Sequence, residues 1–331
     1  MKKHALLVTG ALVALGVTAT TAIASSQPAG ESYSGDTLVV RGFIGRIEID
    51  TTAGGDVSVA IDEGRNIVER PELETRNDRV VIDGGQDMSG LQCQSRNGQY
   101  RLGRRWGDKH DIEDYPTLRI SAPASLHLDI ADSAFVAEAG DLGSLDLTVN
   151  SCGDFRAGDV AGDARVRING SGDVDAGEIG GATLISINGS GDVSLGDLQD
   201  GVDINISGSG DVALGDITRA AEININGSGD VTFGRVAGLD IDVSGSGDVT
   251  ARHLEGPFDA RINGSGDIEI YDGRAEPFQV SVNGSGDIEF GGTAVNLRVN
   301  ENGSGDVSVD DIEGTVEWRR HGRTVLRVGA N

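Results

Sequence analysis

Apolar and polar residues alternate at period two through most of the chain after residue 36, and the alternation breaks at regular intervals on Gly-Ser-Gly-Asp. The stretch "RINGSGDV" returns as "SINGSGDV", "NISGSGDV", "NINGSGDV", "DVSGSGDV", "RINGSGDI", "SVNGSGDI" and "ENGSGDV". Counting a degenerate first corner, the turn aspartates are Asp154, Asp173, Asp192, Asp211, Asp230, Asp248, Asp267, Asp287 and Asp306, with successive spacings of 19, 19, 19, 19, 18, 19, 20 and 19. Seven residues before each aspartate stands an apolar column from Leu147 to Val299, five before a column from Val149 to Val282 that ends in Glu301, and one after a column from Phe155 to Val307. Strict alternation describes a strand with one buried face. Each repeat then holds two strands around the Gly-Ser-Gly-Asp corner and a second turn of the type "AGDV" or "LGDI".

One such coil cannot bury its apolar face alone, but stacking at about 4.8 Å pairs each strand with its counterpart and stacks like residues in ladders. The pattern therefore predicts an all-β parallel β-helix, a solenoid of about 19-residue coils; nine coils would make a rod of roughly 40 Å at that rise. A sandwich of hairpins would need adjacent antiparallel strands, which constant columns do not suggest.

Upstream the rhythm degenerates. "GRIEIDTTAGGDVSVAI" resembles one coil, and "LHLDIADSAFVAEAGDL" another in which Ala131, Asp132, Ser133 and Ala134 replace the glycine turn. Irregular terminal coils are what capping requires. Between them, residues 87–116 are expected to form an extended flap insertion. The expected organisation is a signal peptide over 1–24, a linker over 25–35 and a single β-helix domain over 36–331. Within that domain, 145–312 hold the regular coils, and 313–331, with Trp318 and several arginines, form the C-terminal cap.

Composition adds the setting. Lys2 and Lys3, the apolar run that follows them and the small residues around Ala24 read as a secretory signal, so the mature protein is expected outside the cytoplasm, whether periplasmic, surface-bound or secreted. No later run approaches the roughly 20 apolar residues of a membrane span. The net charge of −26 argues against nucleic acid and anionic lipid as partners. Cys93 lies in the flap and Cys152 where later coils have serine; in an oxidising compartment they either pair and pin the flap to the first regular coil or stand as two separate thiols. The histidines are scattered, with no zinc-ligand spacing.

Two readings compete for the repeated aspartate. Glycines flanking the serine can supply positive φ, asparagine tolerates the left-handed conformation, and the Asp and Ser side chains can bond turn amides. Alternatively Asp173, Asp192, Asp211, Asp230, Asp248, Asp267, Asp287 and Asp306 form a metal ladder for calcium, since carboxylates one coil apart repel by about 0.9 kcal/mol at water-like dielectric and calcium takes oxygen ligands. The flap offers a third feature, "RNGQYRLGRRWGDKH". Its arginines either pair with the rod's aspartates or hold acidic groups of a glycan: Arg101, Arg104 and Arg105 would bind substituents while Tyr100, Trp106 and Tyr115 stack on sugar rings.

The opening "VVRGFIGRIEID", the segment "DRVVIDGG", then "TLRISAPASLHLDI" leading into repeated "GSGDV" resemble the bacterial family of auto-transporter adhesin head domains, the GIN domain, over most of the mature chain. The resemblance implies a right-handed β-helix exported from the cytoplasm and supplies no catalytic residues. A membrane barrel of the auto-transporter kind is not expected, because no run of amphipathic strands follows the rod. The leading expectation is a non-enzymatic, adhesin-like or structural surface module that presents an acidic face to a polysaccharide or an envelope protein. The alternatives are a calcium-stabilised secreted rod and a β-helix polysaccharide-degrading enzyme, for which the evenly spread acids provide no local pair.

Overall fold

The structure, a computed structural model, describes residues 31–328 except 53, 97, 98 and 106, with the backbone alone of 95, 96, 99, 151 and 328. The expected signal peptide over 1–24 and Trp106 lie outside the described residues.

The chain winds as a parallel β-solenoid of about ten turns. The first wall stacks the strands Ser144–Arg156, Ala164–Ile168, Thr183–Ile187, Val202–Ile206, Ala221–Ile225 and Leu239–Val243 in parallel register. Its inward columns follow the sequence columns step by step: Leu147 pairs with Val166, Val166 with Ile185, Ile185 with Ile204, Ile204 with Ile223 and Ile223 with Ile241. The second wall stacks Val174–Ala176, Val193–Leu195, Val212–Leu214 and Val231–Val236. The second turn of each repeat builds a third wall, a ladder of single bridges through Leu142, Val160, Ile179, Leu198, Ile217 and Val236. All three inward columns are buried, and each buried aliphatic side chain contributes about 1.5–3 kcal/mol.

The repeats of 18 and 20 residues keep these columns aligned because the corner between third and first walls absorbs the difference. There Ala237 and Gly238 replace the three residues Thr218, Arg219 and Ala220 of the winding before. Further on, Glu276 and Pro277 supply the extra residue, with a register shift between Gly256 and Phe258. Inside these later windings Phe258, Phe278 and Phe290 pack together, with ring centroids 5.1 Å apart for the first pair and 5.5 Å for Phe278 and Phe290.

At the N-terminal end the parallel order gives way to antiparallel strands. Glu72–Arg76 lies antiparallel on Arg79–Asp83, and Glu31–Tyr33, within the stretch expected as linker, lies antiparallel on Val57–Asp62. At the other end Arg323–Val328 folds back antiparallel on the last half of Val307–Arg320.

The inserted segment is compact rather than extended. Leu91–Arg96, Gln99–Arg104 and His110–Asp111 form a separate antiparallel three-stranded sheet. Leu102, Ile112 and Tyr115 pack it on Ile44, Ala134 and Cys152 of the rod. A disulfide joins Cys93 to Cys152, with the Cα atoms 6.1 Å apart and a sequence separation of 59. A loop of that length gives the link about 4 kcal/mol of unfolded-chain entropy.

Candidate functional site

The corner aspartates complete the stacking of the backbone. Through each corner the main chain pairs with the winding before it: Asn188 N–H donates to the Ile168 carbonyl at 2.7 Å and Ser190 N–H to the Gly170 carbonyl at 2.9 Å. The aspartate amide takes a side chain instead. Asp192 N–H donates to Asp173 Oδ1 at 3.1 Å, Asp211 to Asp192, Asp230 to Asp211 and Asp248 to Asp230 each at 2.8 Å, and the series continues through Asp267, Asp287 and Asp306. Each carboxylate thus stands in for a missing main-chain acceptor, and a charge-assisted bond of this kind is about twice as strong as a neutral one. The same bond offsets the repulsion between neighbouring carboxylates. At Asp173, burial pushes the carboxyl above its usual range, the Asp192 amide pulls it back, and the charges of Asp154, Asp192 and Asp175 push it up again.

The expected left-handed corner is not what the structure holds. Among the described residues the non-glycine positions with positive φ are Asn66, Asn77, Asp78, Asp132, Asn296 and His321, none of them in a regular Gly-Ser-Gly-Asp corner. Glycine is required there by crowding: a Cβ on Gly227 would lie 1.9 Å from the Gly208 carbonyl oxygen. Asparagine forms a second ladder, with Asn169 Nδ2 donating to Asn150 Oδ1 at 2.8 Å and Asn188 to Asn169 at 3.1 Å. Among the described residues no three His, Cys, Asp or Glu side chains converge as a metal ion would need.

Among the described residues, the two flap tyrosines expected to stack on sugar rings each donate a hydrogen bond within the protein. Tyr115 is buried, and its hydroxyl donates to the Leu102 carbonyl at 3.0 Å; burial, with Asp114 beside it, raises its pKa. Tyr100 donates to Asp154 of the degenerate first corner at 2.5 Å. Arg101 pairs with Asp111 at 3.2 Å and donates to the Lys109 carbonyl, and Arg104 donates to the carbonyls of Ser89 and Asp87. For Arg101 and Arg104 these partners lie within the flap rather than on the aspartates of the rod. The hairpin is small, and Arg101 and Arg104 close its own turns. Arg105 sits in the turn that follows Gln99–Arg104.

A concave surface runs along the corner between third and first walls. A groove there is lined by Ala182, Gly201, Ala220, Gly238 and Pro257, and carries Asp200, Asp203, Glu222, Asp240 and Asp259. It meets a second groove at Ala182 and Thr183, which brings in Gly162, Asp146 and Asp163. The Thr183 hydroxyl between them is buried without a hydrogen-bond partner among the described residues. Sequence reasoning passed over this groove because its residues fall at the least regular position of the repeat, where length varies. The available signal was the recurrence of Gly, Ala or Pro before the first-wall strand, with an acid two residues later in Asp203, Glu222, Asp240 and Asp259.

In-register windings with three ladder-paired walls define a parallel β-solenoid, closed at one end by antiparallel strands and fitted with a disulfide-tied flap. A family model described as "Putative auto-transporter adhesin, head GIN domain" matches residues 42–214, 161–253 and 253–319, and the chain belongs to that family. No curated protein matches the chain. No helix among the described residues is long and apolar enough to cross a membrane.

Proposed function

We propose that the chain is an exported, non-enzymatic, adhesin-like surface module that holds an extended glycan or an extended segment of an envelope protein along its acidic groove. The observation that supports this most is repetition within the groove. Successive windings offer a small or apolar floor residue and a carboxylate, Asp203, Glu222, Asp240 and Asp259 in order, on a frame whose spacing the backbone ladders fix. Carboxylates accept hydrogen bonds from sugar hydroxyls or backbone amides, and the net charge of −26 selects against polyanions. The family description, an adhesin head, agrees with this class of role. The corner aspartates contribute stiffness rather than contact.

A glycan array probed with wild-type protein and with the Glu222→Arg/Asp240→Arg variant tests this reading. Loss of binding in that variant, with binding retained in Ser209→Arg on the opposite corner, is expected. Binding that the groove substitutions leave unchanged would overturn it.

A further inference from the structure

The two ends of the rod differ. The large apolar side chains exposed among the described residues are Tyr271, Ile312, Val325 and Leu326; Ile312 belongs to the last winding, and Val325 and Leu326 to the hairpin strand that folds back on it. The final winding, Val307–Arg320, pairs along its inner edge with Ile288–Glu301, but the hairpin strand Arg323–Val328 covers only its second half, from Val316 onward. Residues 307–315 therefore present a free strand edge, with no further pairing among the described residues. Asp310 and Asp311 are exposed on that edge, and Arg323 and Arg327 on the hairpin. None of these four enters an ion pair among the described residues, whereas Arg319 and Arg320 are engaged by Glu317, Glu301 and Asp306. The N-terminal end exposes no large apolar side chain among the described residues and is sealed by antiparallel strands.

We infer that this end is a self-complementary surface through which two copies of the chain join tail to tail, Arg323 and Arg327 of each facing Asp310 and Asp311 of the other around Ile312, Val325 and Leu326. A twofold contact must be self-complementary: an end that carries opposite charges on its two strands, Asp310 and Asp311 on one and Arg323 and Arg327 on the other, together with exposed apolar side chains, meets that condition when turned on itself. The free strand edge adds main-chain donors and acceptors that pairing would satisfy. Side-by-side association would bring the acidic flanks of two chains with a net charge of −26 together and is disfavoured. Head-to-tail association would set this end against a surface without a matching apolar patch, and a dimer closed by the twofold leaves no further copy to add.

Sedimentation equilibrium of the purified protein over a dilution series tests the inference. The wild type is expected to reach twice the chain mass and to dissociate on dilution. Arg323→Glu/Arg327→Glu and, separately, Asp310→Lys/Asp311→Lys are expected to be monomers, and their equimolar mixture to recover a dimer, since each reversed edge then meets its complement. Leu326→Lys is expected to be monomeric with an unchanged melting temperature. If the hairpin variant does not fold, the Asp310→Lys/Asp311→Lys variant on the other edge carries the test alone. A wild type that stays monomeric throughout, assemblies larger than two, or a mixture that stays monomeric would each overturn the inference. So would a monomer that instead sediments with phosphatidylglycerol vesicles, which would assign the end to an anionic membrane surface.

Discussion

A hydrogen bond and a steric limit explain the Gly-Ser-Gly-Asp corner residue by residue. The aspartate is present as an acceptor for the next winding's amide, and its charge both strengthens that bond and repels the neighbouring carboxylates, two effects that oppose each other. Asp230→Ala leaves the Asp248 amide, now 2.8 Å from Asp230 Oδ1, without its partner and is expected to cost about 0.5–1.5 kcal/mol. Asp230→Asn keeps the acceptor, removes one repulsive charge, and is expected to stay within about 0.5 kcal/mol of wild type. Thermal unfolding of the two variants separates acceptor from charge. The glycines answer to crowding: Gly227→Ala must push windings apart at the Gly208 carbonyl and is expected to lose about 1–3 kcal/mol. Ser228→Ala, exposed at the same corner, should change stability by less than about 0.5 kcal/mol in the same denaturation series.

Among the elements, the strands of the regular windings were legible because each column repeats one chemical requirement. Ile185, Ile204 and Ile223 announce their neighbours by being alike, and the structure pairs them as the spacing demands. The third wall was harder to see, since one bridge residue per winding, such as Leu198 or Ile217, gives no alternation to read. The flap was legible as an interruption, but its fold was not, because its contacts with Ile44 and Ala134 are unique and no repetition reports them. Glu301 shows the same contrast: it interrupts an apolar column in the sequence, and only the structure supplies the reason. It is buried, accepts from the Val307 amide at 3.2 Å and pairs with Arg320 of the terminal hairpin. Arg320→Ala is expected to cost about 1.5–3 kcal/mol by stranding that carboxylate. Adding Glu301→Ile, which restores the apolar column, is expected to return most of the loss. Chemical denaturation of the single and double variants checks both.

For the whole molecule, one geometric relation governs everything else: equivalent residues of successive windings lie above one another, so the rod's core, its acceptor ladder and its acidic groove all advance together. The same relation explains why the groove escaped a reading of the sequence. Its chemistry belongs to the corner that absorbs insertions, where the period that reveals the fold is weakest. Pulsed electron-spin distance measurement between labels on corner serines tests the relation most directly. Labels at Ser190 and Ser285, five windings apart, are expected about 24 Å from each other at a rise of about 4.8 Å per winding. Labels at Ser171 and Ser304, seven windings apart, are expected at about 34 Å on the same rise. Distances that grow in proportion to the number of windings are the predicted result; distances that fail to grow with winding number would contradict the stacked solenoid.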